Sequence, residues 1–234
     1  MRKSVKFLML VIGLFAMVNV PSLYAQEKMT GEDLTAIQED FEKMQEVLVI
    51  DVRPEEQYDE GHITYAVNIP VDKLAKEMAR IEEAYGKDFP IVVYCNSENM
   101  SKEAKQLLDD AGYKDVTIAE GVKDFEYTLV TYDNILLDEF LEALESDSER
   151  VVIDYQFEKD FNQRAVSDAI LGDPEKMDPL LEQLPEDKAT PIYNYCYVGV
   201  RSGLGSQIIK DAGYENVYNL IVGTSSDEFP AEEK

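Results

Sequence analysis

Pro191-Ile-Tyr-Asn-Tyr-Cys196-Tyr-Val-Gly199-Val-Arg201-Ser202 is a short strand-like run that ends on a cysteine, and Phe89-Pro-Ile-Val-Val-Tyr-Cys95 is a second version of its first half. Cys196 follows Cys95 by 101 positions, and the same offset relates Asp211-Ala-Gly-Tyr214 to Asp110-Ala-Gly-Tyr113. Farther upstream, Arg150-Val-Val-Ile-Asp154 matches Val47-Leu-Val-Ile-Asp51 at an offset of 103. A repeat this long is a duplicated domain and not a solenoid, whose units are only about 20 to 50 residues.

Each copy alternates strand and helix signals. Val47 to Val52, Ile91 to Tyr94 and Val116 to Ile118 are apolar and β-branched without strict alternation, which suits parallel strands covered on both faces. After Cys95, Ala104, Leu107, Leu108 and Ala111 recur at helical spacing, and Gly205, Ile208, Ile209 and Ala212 do so after Cys196. Gly112 and Gly213 stand where a helix end needs a left-handed residue. The expectation is an α/β fold made of two tandem domains, residues 30–127 and 132–230, each a mainly parallel sheet flanked by helices. Residues 128–134 form the connection, and their apolar content predicts a packed one.

Residues 1–25 read as a secretory signal: Arg2, Lys3 and Lys6, an apolar run from Phe7 to Val20, then Pro21 to Ala25. The run is shorter than the ~20 residues of a spanning helix, so export to the periplasm or the extracellular space is the expectation, and an uncleaved membrane anchor is the less favoured alternative. The formal net charge is -26. Such acidity argues against nucleic-acid partners, which are held through basic patches. One histidine and two distant cysteines offer no ligand spacing for a metal, and nothing calls for a cofactor. The two cysteines of an exported chain invite a disulfide, but each ends a strand and opens a turn before a helix, a placement that suits a reactive thiol better.

A tight loop between a strand and a helix N-terminus aims successive backbone N–H groups at one point, with the helix dipole behind them. At Cys196 that arrangement favours the thiolate, the nucleophilic form, without a histidine base. The loop groups expected to meet an anionic substrate are those of Tyr197, Val198, Gly199, Val200, Arg201 and Ser202. Gly199 lets the backbone turn inward, and the planar guanidinium of Arg201 suits an oxyanion such as thiosulfate.

This loop resembles the active loop of the rhodanese (sulfurtransferase) family, Cys-x-x-Gly-x-Arg-Ser, at Cys196, Gly199, Arg201 and Ser202. Copy one resembles the family elsewhere, at Asp51-Val-Arg53, Glu56, Tyr58, Gly61-His-Ile63 and Ala66-Val-Asn-Ile-Pro70. The resemblance implies a cysteine persulfide, loaded from a small-molecule donor such as thiosulfate and discharged to a thiol, to a cyanide-like acceptor or to a protein acceptor. Phosphatases of the same fold place five residues between cysteine and arginine; four lie between Cys196 and Arg201, which favours sulfur over phosphoryl chemistry.

Each copy departs from the family pattern. In copy one Glu98 replaces the glycine and Met100 the arginine, so Cys95 is expected to be a second, weaker or inactive site, with Glu98 disfavouring an anion there. Copy two has Tyr155, Gln156, Arg164 and Ala165 where the family has valine, arginine, glycine and histidine. His62 in Gly-His-Ile and the pair Asp51 and Arg53 read as fold-holding groups. The functional expectation is a thiosulfate sulfurtransferase acting through Cys196; the alternative is a noncatalytic binding or sulfur-relay module.

Overall fold

The computed structural model describes residues 28–234, the Phe41 side chain excepted, so the expectations for residues 1–25 lie outside the described residues. Its strands in chain order are β1 (Lys28–Met29), β2 (Leu48–Asp51), β3 (His62–Ile63), β4 (Val67–Asn68), β5 (Ile91–Tyr94), β6 (Val116–Ala119) and β7 (Leu129–Val130). Then follow β8 (Asp133–Ile135), β9 (Val151–Asp154), β10 (Arg164–Ala165), β11 (Ile170–Leu171), β12 (Ile192–Tyr195), β13 (Val217–Leu220) and β14 (Glu232–Glu233). They build two five-stranded parallel sheets, ordered β1-β6-β5-β2-β4 and β11-β9-β12-β13-β8. The α/β reading of two tandem domains holds.

Every residue of β2, β5 and β6 is buried, which explains why these runs show no polar alternation. In each sheet the central strand, β5 or β12, leads into the cysteine and then into a helix, Asn99–Asp110 or Val200–Asp211. Gly112 and Gly213 follow those helices at φ +92 each.

The buried face of the second helix keeps Gly205 and Ile209 of the expected apolar stripe, with Ile208 partly buried, but it is wider and more polar than that stripe. Ser202, Gly203, Gly205, Ser206 and Ile209 face the core, while Ala212 is exposed. Close approach has overridden the apolar period there: a Cβ on Gly205 would stand 2.2 Å from the ring of Tyr155, and one on Gly203 would stand 2.7 Å from the Tyr132 hydroxyl.

The two copies are packed together. Residues 128–134 contain β7, which pairs antiparallel with β3 of the first copy, and the start of β8, an edge of the second sheet. Leu136 and Ile221 from the second copy enter the core of the first, and Arg80 forms ion pairs with Asp138 and Glu139. Among the described residues no helix is long and apolar enough to cross a membrane.

Candidate active site

Cys196 sits at the C-terminal end of β12, buried, with only 1% of its surface exposed. Its loop ends at Gly199, which caps the next helix at φ +80, in the left-handed region where a side chain is strained. A Cβ there would also come within 2.8 Å of the Ile221 Cα, so both backbone angle and space demand glycine.

Four successive carbonyls of the loop are gripped from outside. The Thr224 N–H donates to the Cys196 carbonyl at 2.9 Å and the Ser225 N–H to that of Tyr197 at 3.0 Å. The Tyr65 hydroxyl, from the first domain, donates to the Val198 carbonyl. The Gly199 carbonyl accepts from Asn219 Nδ2 at 3.1 Å and from the Gly203 N–H at 2.9 Å. In a trans peptide the carbonyl and the next N–H point to opposite sides. Gripping the four carbonyls therefore turns the N–H groups of Tyr197, Val198, Gly199 and Val200 away from the clamps, and among the described residues no hydrogen bond is donated by any of the four. A concave row of unpaired N–H groups is a nest for an anion.

The side chains around this nest are tied down. Ser202 donates to Asn219 Oδ1 at 2.6 Å, so its Oγ, 3.5 Å from Cys196 Sγ, keeps only acceptor capacity toward the sulfur. Asn219 Nδ2 also donates to Asn134 Oδ1 at 2.9 Å. Arg201 Nε donates to the Tyr155 carbonyl at 2.9 Å, and its guanidinium lies 4.6 Å above the Phe157 ring and 3.7 Å from Asp173. The Tyr197 hydroxyl donates to Asp160 and accepts from the Phe157 N–H.

The loop of Cys95 keeps part of this frame. The Val122 and Lys123 N–H groups grip the Cys95 and Asn96 carbonyls at 3.1 and 2.9 Å, but among the described residues no donor reaches the carbonyl of Ser97, the counterpart of Val198. Glu98, in the place of Gly199, has φ −132. Its carboxylate is held by Lys102 and Lys28, which bring it down to about 2. Two lysines thus offset the charge of Glu98, while backbone shape and Met100 in the place of Arg201 set this loop apart from the other. Ser101 Oγ lies 2.9 Å from Cys95 Sγ, since Ile118 occupies the position that Asn219 has in copy two. Both cysteines are free.

The buried pair expected from Asp51 and Arg53 is present: Nε reaches both carboxylate oxygens, at 3.0 and 2.9 Å, and Nη2 reaches Oδ2 at 2.6 Å. In copy two Gln156 replaces that arginine and turns to Thr224. Asp154 then accepts from the Gln156 N–H at 2.7 Å and has the Tyr195 hydroxyl beside it, in place of an arginine. Burial pushes this carboxyl up to about 6. His62 stacks on Tyr58 at 3.6 Å with Nδ1 facing the Tyr58 carbonyl, and burial pushes it down to about 3, so it is neutral.

Tyr65, Asn134, Asn219 and Thr224 escaped the sequence reading. A signal existed for the asparagines, because a polar amide inside the buried strands Asp133–Ile135 and Val217–Leu220 breaks their apolar character. Among the described residues no cluster of side chains suits a metal.

The family model for the rhodanese-like domain matches residues 33–125 and again residues 136–226. The chain therefore belongs to the rhodanese-like family, in tandem form. It is 39% identical over 75 residues to the thiosulfate sulfurtransferase PspE of Escherichia coli, a match spanning 32% of this chain and 70% of that one. It is 35% identical over 82 residues to the HTH-type transcriptional regulator Rv0324 of Mycobacterium tuberculosis, covering 34% of each chain. Among solved structures it is similar to a thiosulfate sulfurtransferase from Pseudomonas aeruginosa, at 21% identity and a TM-score of 0.39, over 89% of this chain and 44% of that one.

Proposed function

We propose that this protein is a sulfurtransferase whose working centre is Cys196. The observation that carries the reading is the nest: four carbonyls gripped from outside and four N–H groups turned the other way, beside a cysteine at a helix N-terminus. The Cys196 thiolate attacks the outer sulfur of thiosulfate or a similar donor. A sulfur–sulfur bond forms to Cys196 as the donor's own sulfur–sulfur bond breaks, and sulfite leaves with that electron pair. The N–H row stabilises the terminal persulfide anion, and Arg201 faces the departing oxyanion. A thiol, cyanide or a protein acceptor then attacks the outer sulfur, and the Cys196 thiolate is regenerated.

A second reading, a noncatalytic binding or relay module, draws on the 1% exposure of Cys196 and the attachment of Arg201 to Tyr155, Phe157 and Asp173. Thiocyanate production from thiosulfate and cyanide separates the two. Turnover by the chain supports the enzyme, and its absence at every donor concentration supports the module. Export is proposed from residues 1–25 alone; N-terminal sequencing of the protein from its own cells is expected to begin near Gln26, and Met1 retained in a cytosolic fraction would refute it.

A further inference from the structure

The geometry points to a division of labour: the first domain completes the active loop of the second, with Tyr65 as the positioning residue that sets the Val198–Gly199 peptide. The inference rests on the proposed reading of Cys196 as the sulfur carrier.

Tyr65 has three features that a core tyrosine does not need together. Its backbone is at φ +71, and it is the one residue other than glycine with positive φ among those described. Its ring is 5% exposed, inside the core of the first domain. Its hydroxyl crosses the domain boundary to two carbonyls of the second domain, Val198 in the active loop and Ile221 just after β13. A phenol has one proton, so the two carbonyls share it, which draws the loop and the turn after β13 toward one point. Burial holds the hydroxyl in its neutral, donating form, and the nearby Tyr85 and Cys196 act in the same direction. A non-glycine residue with positive φ is strained and persists where its surroundings hold it there.

Ala66, the next residue, opens a second route. Its carbonyl accepts from Asn134 Nδ2 at 3.1 Å; Asn134 Oδ1 accepts from Asn219, and Asn219 binds both the Gly199 carbonyl and Ser202. Two adjacent residues of the first domain thus reach two adjacent carbonyls of the active loop, one directly and one through two buried amides. The Cys95 loop has no donor at the carbonyl equivalent to that of Val198 among the described residues, so the direct grip belongs to the second loop alone. The first domain, altered in its own loop, acts as the outer wall of the other one. With the Val198 carbonyl fixed, the Gly199 N–H is aimed away from Tyr65 and held ready for an anion at Cys196.

Tyr65→Phe in the full chain removes one oxygen and keeps the packed ring. The measurement is the rate of Cys196 alkylation by iodoacetamide as a function of pH, read by peptide mass, with sulfur uptake from thiosulfate followed in parallel. Loss of one aimed N–H should slow alkylation near pH 7 by about tenfold, leave the high-pH plateau unchanged and lower sulfur uptake in step. Arg80→Met is the control, since it cuts the ion pairs to Asp138 and Glu139 across the same boundary without touching the loop; its alkylation profile should match that of the unsubstituted chain. The inference is overturned if the Tyr65→Phe profile superimposes on that of the unsubstituted chain, if Arg80→Met moves it equally, or if Tyr65→Phe does not fold, because the role assigned to the hydroxyl is local. If no chain takes up sulfur, the sulfurtransferase reading fails, while the alkylation profiles still decide the role of Tyr65.

Discussion

The two cysteine loops share a strand, a helix and a pair of carbonyl clamps, yet they differ at the third carbonyl and at one backbone angle. Gly199 at φ +80 lets the second loop turn so that the Val198 carbonyl meets Tyr65, whereas Glu98 at φ −132 leaves the Ser97 carbonyl without a donor among the described residues. Such a loop is shaped from behind. The groups that grip its carbonyls do not face the ligand, and they decide where its N–H groups point.

The largest effect that could break this comparison is at the nucleophiles. Cys196→Ser should abolish sulfur transfer, while Cys95→Ser should retain more than about half of the activity in a thiocyanate assay. Comparable losses in both variants would mean that the loops work together. Next is the backbone: Gly199→Ala adds a Cβ where the Ile221 Cα is 2.8 Å away and forces an L-residue into a left-handed conformation. It should cost about 2 kcal/mol of stability, by denaturant unfolding, and reduce turnover at least about tenfold. The same turnover as the unsubstituted chain would show that the left-handed turn is dispensable.

Arg201→Met gives the second loop the residue that the first one has. Turnover with thiosulfate should fall by about tenfold, and alkylation of Cys196 by a neutral reagent by far less, because only the anionic donor needs the guanidinium. Equal losses in both assays would make Arg201 a purely structural residue, held as it is by Tyr155, Phe157 and Asp173.

The smallest expected effect on turnover is at Asp154, whose consequence is for stability. Asp154 lacks the arginine partner that Asp51 has, and burial raises its carboxyl to about 6 from an ordinary value of 3.8. The folded protein therefore holds this proton more tightly than the unfolded chain does. The stability it adds is fully present below pH 3.8 and is lost as pH rises through about 6. Asp133, also raised to about 6 by burial, acts with the same sign. Asp154→Asn should flatten the fall in unfolding free energy across that window by up to about 3 kcal/mol, with Asp133 and Asp59, both raised by burial, left to act in the same sense. An unchanged slope would mean that Asp154 is solvated in the folded state.

Much of this was legible in the sequence, because it depends on local pattern. The repeat, the buried strands, the glycines after the two helices and the strand–cysteine–helix order are all set by residues close in the chain. The second helix also buries Ser202, Gly203 and Ser206, outside the apolar stripe, because a Cβ at Gly203 would meet the Tyr132 hydroxyl, a close approach that no helical period reveals. Glu98 is visible in the sequence as a charge beside Cys95, but its pairing with Lys28, 70 positions away, is not. Tyr65 lies 133 positions before Val198, so its grip appears only once the domains are packed. The asparagines of β8 and β13 were visible as polar residues in buried strands, but their joint role needed the register that brings them side by side.

The loop of Cys196, and not that of Cys95, is expected to carry sulfur. The most direct test is peptide-level mass analysis of the unsubstituted chain after brief exposure to thiosulfate, looking for a gain of ~32 Da, one sulfur atom, on each cysteine. The adduct is expected on the peptide that contains Cys196, with little or none on the peptide that contains Cys95. An adduct confined to Cys95, or absent from both, would contradict it.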